Sequence, residues 1–480
     1  MSLVGIAFPF LVVGGGLLFS GLGGFFDVQR LLQFFIFSVV LFCSVFSVGF
    51  FLRCKVFLFQ VKSCEFYVTL LVLAWLSLVV TQSPFVPLSL LELIFFIVLV
   101  VVVSLVLAAA KRWVEFSWWF LGGVVLFFLF FYSFLSFDSL LFQKDFLHRR
   151  FIAYSFDNIR HFSDVAVGLM PLALLYIVSR PRPSVIAAVL CFLPLSFWWY
   201  LLFLSEGRAG ILSLALAMVI ALALFRQSAY WPVTTLFGSS LAGLAGWWFV
   251  NPLRKTVEGK EVIFHRDITS DSNRFDLWRT AIEYSLENFP FGIGPMQFAG
   301  DGRLSYAHAH NIIFNTAAEW GLPIALMLLA LILYGCWKIY RRSRVIPDQD
   351  QPVYACLVMA FVGVIVNVQF AGAHIFPLSS LVMALAIGLV FGYRDSRQPL
   401  PERPVGPVPI QATLLWAGMM LMMAYLLHAG MELYWLSLDS RLICMQEIGR
   451  AYLYPRFWAQ GRLECMQMVA PDHWLFWTWR

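Results

Sequence analysis

The sequence predicts an all-α polytopic integral membrane protein with about 12–13 transmembrane helices and one large outward loop. Three observations carry that prediction. Hydrophobic residues make up 61% of the chain and charged residues 12%, with a mean hydropathy of +0.81, whereas a soluble domain carries roughly 25% charged residues. Apolar runs of about 20 residues recur along the chain, each long enough to cross the hydrocarbon core as a helix. Lys and Arg gather in alternate short loops, the pattern left by retention of positive charge on the cytoplasmic side. Helices satisfy their backbone groups internally, and lipid-facing sheet edges are excluded.

The first run, Val4 to Leu22, has no Lys or Arg before it and no small-residue cleavage site matched to a short core. It reads as a retained helix rather than a signal peptide. Further spans follow at Leu31 to Leu52, Cys64 to Thr81, Pro87 to Ala110, Phe116 to Phe137, Asp164 to Val178 and Val185 to Leu204. Next come Ala209 to Leu224, Pro232 to Val250, Ile312 to Tyr340 with a break at Pro323, Val353 to Phe376, Leu378 to Phe391 and Ala412 to Leu427.

Placing the N-terminus inside puts the basic clusters in the cytoplasm: Arg53, Lys55 and Lys62; Lys111 and Arg112; Arg180 and Arg182; Arg226; Lys338, Arg341, Arg342 and Arg344; Arg394, Arg397 and Arg403. The net charge of +6 is then mostly topology, and no basic, aromatic-spaced nucleic-acid module is present. Residues 1–427 form the expected transmembrane domain, with 251–311 as its outward active-site loop. Residues 428–480 form a short aromatic tail. The tail holds Cys444 and Cys465, which in an oxidising compartment would close a loop of about twenty residues. No Cys or His spacing suggests zinc or an iron–sulfur cluster. The only Pro-rich linker, QPLPERPVGPVP, joins the last two spans.

The longest polar interruption runs from Asp271 to Gly321 and brings together arginines, carboxylates, a glycine turn and two histidines. Before it, Arg208 sits in SEGRAGIL between two apolar helices. Two readings fit it: a snorkelling arginine paired with Glu206, or an anion clamp facing the protein interior. Arg274 follows three good N-cap residues, Asp271, Ser272 and Asn273. Phe275, Trp278, Ile282 and Leu286 recur on one face of the helix that would follow. That helix reads as interfacial, with Arg274 either pairing with Asp271 or Asp276 or facing the site. NFPFGIGPMQF then forces a tight turn, but its Gly-x-Gly follows no strand and is a weak nucleotide signal. In YAHAHN, His308 and His310 share a face if the chain is extended, and Asn311 can cap the helix beginning at Ile312. Either the pair is structural, or a histidine beside two arginines at a helix mouth serves as a general base. No third metal ligand is evident nearby.

Arg208 to Leu212 resembles the Arg-x-x-x-Leu element of the bacterial O-antigen ligase family. His310, Asn311 and Gly321 resemble most of its His-Asn…Gly element. Asn273 to Trp278 and the Pro…Gly-x-Gly turn are similar to the wider superfamily, which includes O-antigen polymerases and pilin-type O-oligosaccharyltransferases. The resemblance covers roughly Ser205 to Tyr340. It departs at Ile324, where the family pattern expects Gly, Thr or Tyr.

The resemblance implies an inverting, metal-independent glycosyltransferase without cofactors in the bacterial inner membrane, with its active site on the periplasmic face. The implied donor is a glycan on undecaprenyl pyrophosphate; the acceptor is lipopolysaccharide core, pilin or another glycan. Arg208 and Arg274 would grip the pyrophosphate and His310 would be the base. His308, Arg160, His161 and Asn311 would contact substrate, with Arg266 and Arg303 weaker candidates. The aromatic tail suits sugar stacking or a protein acceptor, or equally an interfacial belt. A lipid-linked glycan transporter is a different class, but it predicts broken helices in two related halves, and no such pair stands out.

Overall fold

The computed structural model describes residues 25–46, 63–111, 115–142, 156, 159–180, 184–250, 273–300, 306–394, 410–448, 456–458, 461 and 463–478. Among the described residues every regular element is a helix. The expected span Val4 to Leu22 lies outside them, as do Arg53, Lys55, Lys62, Arg112, Arg182, Arg397, Arg403, the Pro-rich linker, Asp271, Arg266 and Arg303. The side chain of Cys444 also lies outside them, so the Cys444–Cys465 pairing has no structural counterpart to compare.

The described elements begin with α1 (Phe25–Phe46), α2 (Ser63–Gln82), α3 (Val86–Ala110) and α4 (Glu115–Phe142). It continues through α5 (Ile159–Ala173), the short α6 (Leu175–Val178), α7 (Val185–Leu204), α8 (Arg208–Phe225) and α9 (Tyr230–Val250). The polar stretch holds α10 (Arg274–Glu287) and α11 (Ile312–Trp320). After it come α12 (Leu322–Ser343), α13 (Gln351–Asn367), α14 (Pro377–Gly392), α15 (Ile410–Ile448) and α16 (Leu463–Val469). Seven helices among the described residues are long and apolar enough to cross a bilayer. That count treats Arg208–Phe249 as one, although Arg226, at φ +50°, separates α8 from α9.

Local chemistry sets many boundaries. Proline occupies the first turn of α3, α12, α13 and α14, where its missing N–H has no intrahelical partner to lose. Ser184 caps α7 by accepting the Ala187 N–H. α5 lies deepest, with Phe162, Val165, Ala166, Val167 and Met170 all buried, and it packs on α13, α4, α14 and α8. A second core joins α1, α3 and α15 to Phe457, Trp458 and Phe476 of the tail.

Three boundaries differ from the sequence expectation. The span expected over Val353 to Phe376 ends at Asn367, because the carbonyls of Val368 and Gln369 bond to the Ile312 N–H and the Asn311 amide instead of continuing the helix. The break placed at Pro323 falls at Gly321, and Pro323 opens the next helix. α15 runs across Leu427 into the expected tail. Phe457 and Trp458, expected as a sugar surface or interfacial belt, are core residues packed on Phe34, Phe95 and Tyr434.

Candidate active site

The site forms where four segments meet: the start of α5, the start of α10, the turn before α11, and the turn between α13 and α14. Asn311 fixes the third of these. Its Oδ1 accepts the N–H groups of Ile313 and Phe314 at 2.9 and 3.0 Å, and its amide donates to the Gln369 carbonyl at 3.0 Å. The expected cap is therefore present. Asn311 is buried, and its side chain joins the two turns.

His310 precedes that cap at φ +51°, a left-handed conformation that costs a non-glycine residue of order 1–3 kcal/mol. The chain is thus bent, not extended as the sequence suggested, yet the two histidines still meet. Their ring centroids lie 4.2 Å apart. The His310 N–H donates to His308 Nδ1 at 3.2 Å, so neutral His308 holds its proton on Nε2. His308 is buried and His310 half-buried.

The arginines surround this pair electrostatically. Burial first, then the charges of Arg274, His161 and Arg160, push His310 down to about 3. Burial, then its histidine neighbours and Arg456, hold His308 well below the usual histidine range. Both rings are therefore neutral near pH 7, the state a proton acceptor requires. Arg274 is half-buried on the first turn of α10 and also acts on Asp164. The stripe Phe275, Ile282 and Leu286 is exposed, while α10 turns Leu277, Ala281 and Tyr284 to the protein, as an interfacial helix would. His161 packs its ring 4.1 Å from Phe376, and Arg160 stands exposed beside it.

Arg208 is the first residue of α8, half-buried, and follows a turn in which Glu206 has φ +52°. That turn presses on α5, since a side chain on Gly207 would meet Ser163 at 3.0 Å. Arg208 thus stands on the segment packed against the Arg160–Asp164 end of α5.

Buried polar pairs that sequence reading missed adjoin the histidines. Asn367 donates to Asp164 at 2.7 Å, and Arg30 donates to Gln33 and to the carbonyls of Ile375 and Phe457. Arg456 bridges Glu92 and Glu319. His374 is buried, and among the described residues neither of its ring nitrogens has a hydrogen-bond partner. Glu92 is the one charged residue of α3, and a charge in mid-span calls for a partner. Its partner lies 364 residues away, and nothing local marks Arg456. His374 is hidden in an apolar run that hydropathy reads as helix.

Fold and site together define a polytopic membrane protein with a cluster of histidines and arginines at its helix ends. Residues 192–329 match the model of the O-antigen ligase family, a similarity that supports the O-antigen ligase superfamily for this part of the chain. The match includes Arg208, Arg274, His308, His310, Asn311 and Gly321. A relative, the teichuronic acid biosynthesis protein TuaE of Bacillus subtilis (strain 168), is 26% identical over 230 residues, which is 42% of this chain and 44% of TuaE. The chain therefore spans less than half the length of this curated relative.

Proposed function

We propose that the protein is an inverting membrane glycosyltransferase, O-antigen ligase-like, that moves a glycan from undecaprenyl pyrophosphate to an acceptor hydroxyl at the periplasmic face of the inner membrane. The reading rests above all on one observation: His310, neutral and half-buried, is held by His308 in a strained turn within the field of Arg274 and Arg160. The acceptor oxygen attacks the anomeric carbon as its proton passes to His310. The bond from that carbon to the pyrophosphate oxygen breaks, and undecaprenyl pyrophosphate leaves. Arg274 and Arg208 stabilise the departing anion, since guanidinium groups bind phosphate oxygens in pairs. A bound pyrophosphate also offsets the positive field that lowers His310, so donor binding makes the base stronger. His161, Arg160 and His308 line the same centre. This mechanism needs neither a metal nor a cofactor.

A relative named for teichuronic acid biosynthesis favours, as a second reading, the polymerase branch, in which the acceptor is another glycan. Protein O-glycosylation is a third outcome of the same test. Purified protein is given labelled glycan on undecaprenyl pyrophosphate, with lipopolysaccharide core, pilin and a second lipid-linked glycan as separate acceptors. Transfer to one acceptor that is lost in His310→Ala and Arg208→Ala supports the reading and names the branch. No transfer to any acceptor, with movement of the lipid-linked glycan across vesicles, makes the protein a transporter instead.

A further inference from the structure

Arg456 lies far from the histidines in sequence and beside them in space, within reach of the carbonyl of Ala307 next to His308. Its side chain is 2% exposed, as is fitting for a charge enclosed by two carboxylates. One terminal nitrogen donates to Glu92 Oε1 at 2.7 Å and to Glu319 Oε2. The other reaches the Ala307 carbonyl and Asn315 Oδ1, each at 3.4 Å. Those four contacts aim both terminal nitrogens at protein atoms, so Arg456 is not placed to grip a phosphate. They lead instead to the histidine turn. Asn315 Oδ1 also accepts the Ala309 N–H at 3.1 Å, and its amide donates to Glu319 Oε2 at 3.0 Å. Glu319 Oε1 takes the Phe298 N–H at 3.0 Å.

The peptide groups on both sides of His308 are thus held by one network: the Ala307 carbonyl by Arg456 and the Ala309 N–H by Asn315. His308 in turn accepts the N–H of His310. A buried ion pair is a poor source of stability, because desolvation offsets much of its attraction and apolar residues of equal volume often serve as well. What an apolar replacement does not supply is directed donors and acceptors. The left-handed backbone at His310 persists only if its surroundings over-determine it.

We propose that Arg456, with Glu319 and Asn315, is a positioning residue that fixes the His308–His310 turn in its working conformation. The proposal rests on His310 being the working base, and its test separates the two. Full-length protein in nanodiscs is compared with Glu319→Gln, Arg456→Lys and Arg456→Met, with Arg279→Ala, an exposed ion-pair partner, as control.

Two readouts are taken: the rate at which diethyl pyrocarbonate modifies His310, followed by peptide mass spectrometry, and kcat and KM for the lipid-pyrophosphate glycan. Glu319→Gln and Arg456→Met should speed modification roughly tenfold as the strained turn relaxes. They should lower kcat by about tenfold or more while leaving donor KM within about twofold. Arg456→Lys should lie between wild type and Arg456→Met in both readouts. If folded Glu319→Gln modifies at the wild-type rate and keeps wild-type kcat, the network is only a structural strut and the proposal fails. If the variants change His310 reactivity while wild type transfers no glycan, the positioning role stands and the transferase reading falls. Should Arg456→Met not fold, Glu319→Gln alone decides.

Discussion

His308 accepts the backbone N–H of His310 at 3.2 Å, so a buried ring dictates how its half-buried neighbour is presented. The two histidines are one device: the inner one shapes the turn and the outer one faces the arginines.

Removing the outer ring should stop transfer without unfolding the protein. His310→Ala is expected to lower turnover by about 10²–10⁴, the usual contribution of a general base, with an unchanged helical circular dichroism spectrum. Retention of more than a tenth of wild-type turnover would assign the proton transfer elsewhere.

Arg274 should matter to the pyrophosphate more than to the fold. Arg274→Ala is expected to reduce kcat/KM for the lipid-linked donor by about 10²–10³, and Arg274→Lys to recover part of it, since Lys keeps the charge without the planar fork. Steady-state kinetics on both variants check this. Equal activity of Lys and Arg at this position would rule out paired hydrogen bonds to phosphate.

Acid should weaken the protein through its histidines. Burial foremost lowers His310 and His374, each to about 3, while an unfolded ring binds its proton near about 6.5. From about 6.5 down to about 3 the unfolded chain binds more protons, so stability falls as pH falls through that window and is unaffected by these rings above it. The melting temperature should be flat above about pH 7 and decline below about pH 6, less steeply in His374→Gln. For the same reason kcat/KM of the free enzyme should show no acid limb near about 6.5. A melting temperature as high at pH 5 as at pH 7.5 would contradict this placement of the rings.

Gly321 is expected to tolerate no side chain. It has φ +86°, and a Cβ there would overlap the Pro290 carbonyl, so the Pro290–Gly294 turn and the α11–α12 junction must part to admit one. Gly321→Ala should destabilise by roughly 2–4 kcal/mol, combining backbone strain with overpacking, and thermal unfolding in detergent would show it. A change of less than a few tenths of a kcal/mol, within the scatter of ordinary surface substitutions, would mean that the turn is not packed there.

Much of the frame was legible because bilayer physics writes itself into composition. The span Val185 to Leu204 coincides with α7, and the Asn311 cap was readable from one side chain before an apolar helix. Hydropathy failed where apolar residues leave helical geometry, as between Val368 and Phe376, because it measures solvent preference and not hydrogen bonding. Of the candidate site, Arg274, His161 and Arg160 act on His310, which lies beside His308. Arg30, Asp164 and Arg456 were missed because each pairs with a distant segment, and a lone charge in one segment does not say which other segment answers it; His374 was missed because it sits in an apolar run that hydropathy reads as helix.

The bridge from Glu319 to Arg456 spans 137 residues of chain, and synthesis at about 5–20 residues per second puts roughly 7–27 s between them. During that interval α3 and α11 carry Glu92 and Glu319 without the cation that joins them in the finished protein. Synthesis therefore has an order: the helices that frame the histidines are made first, and Arg456 follows them. A ribosome stalled shortly before Arg456 would leave a membrane-inserted protein with every histidine of the cluster present and the lock still missing.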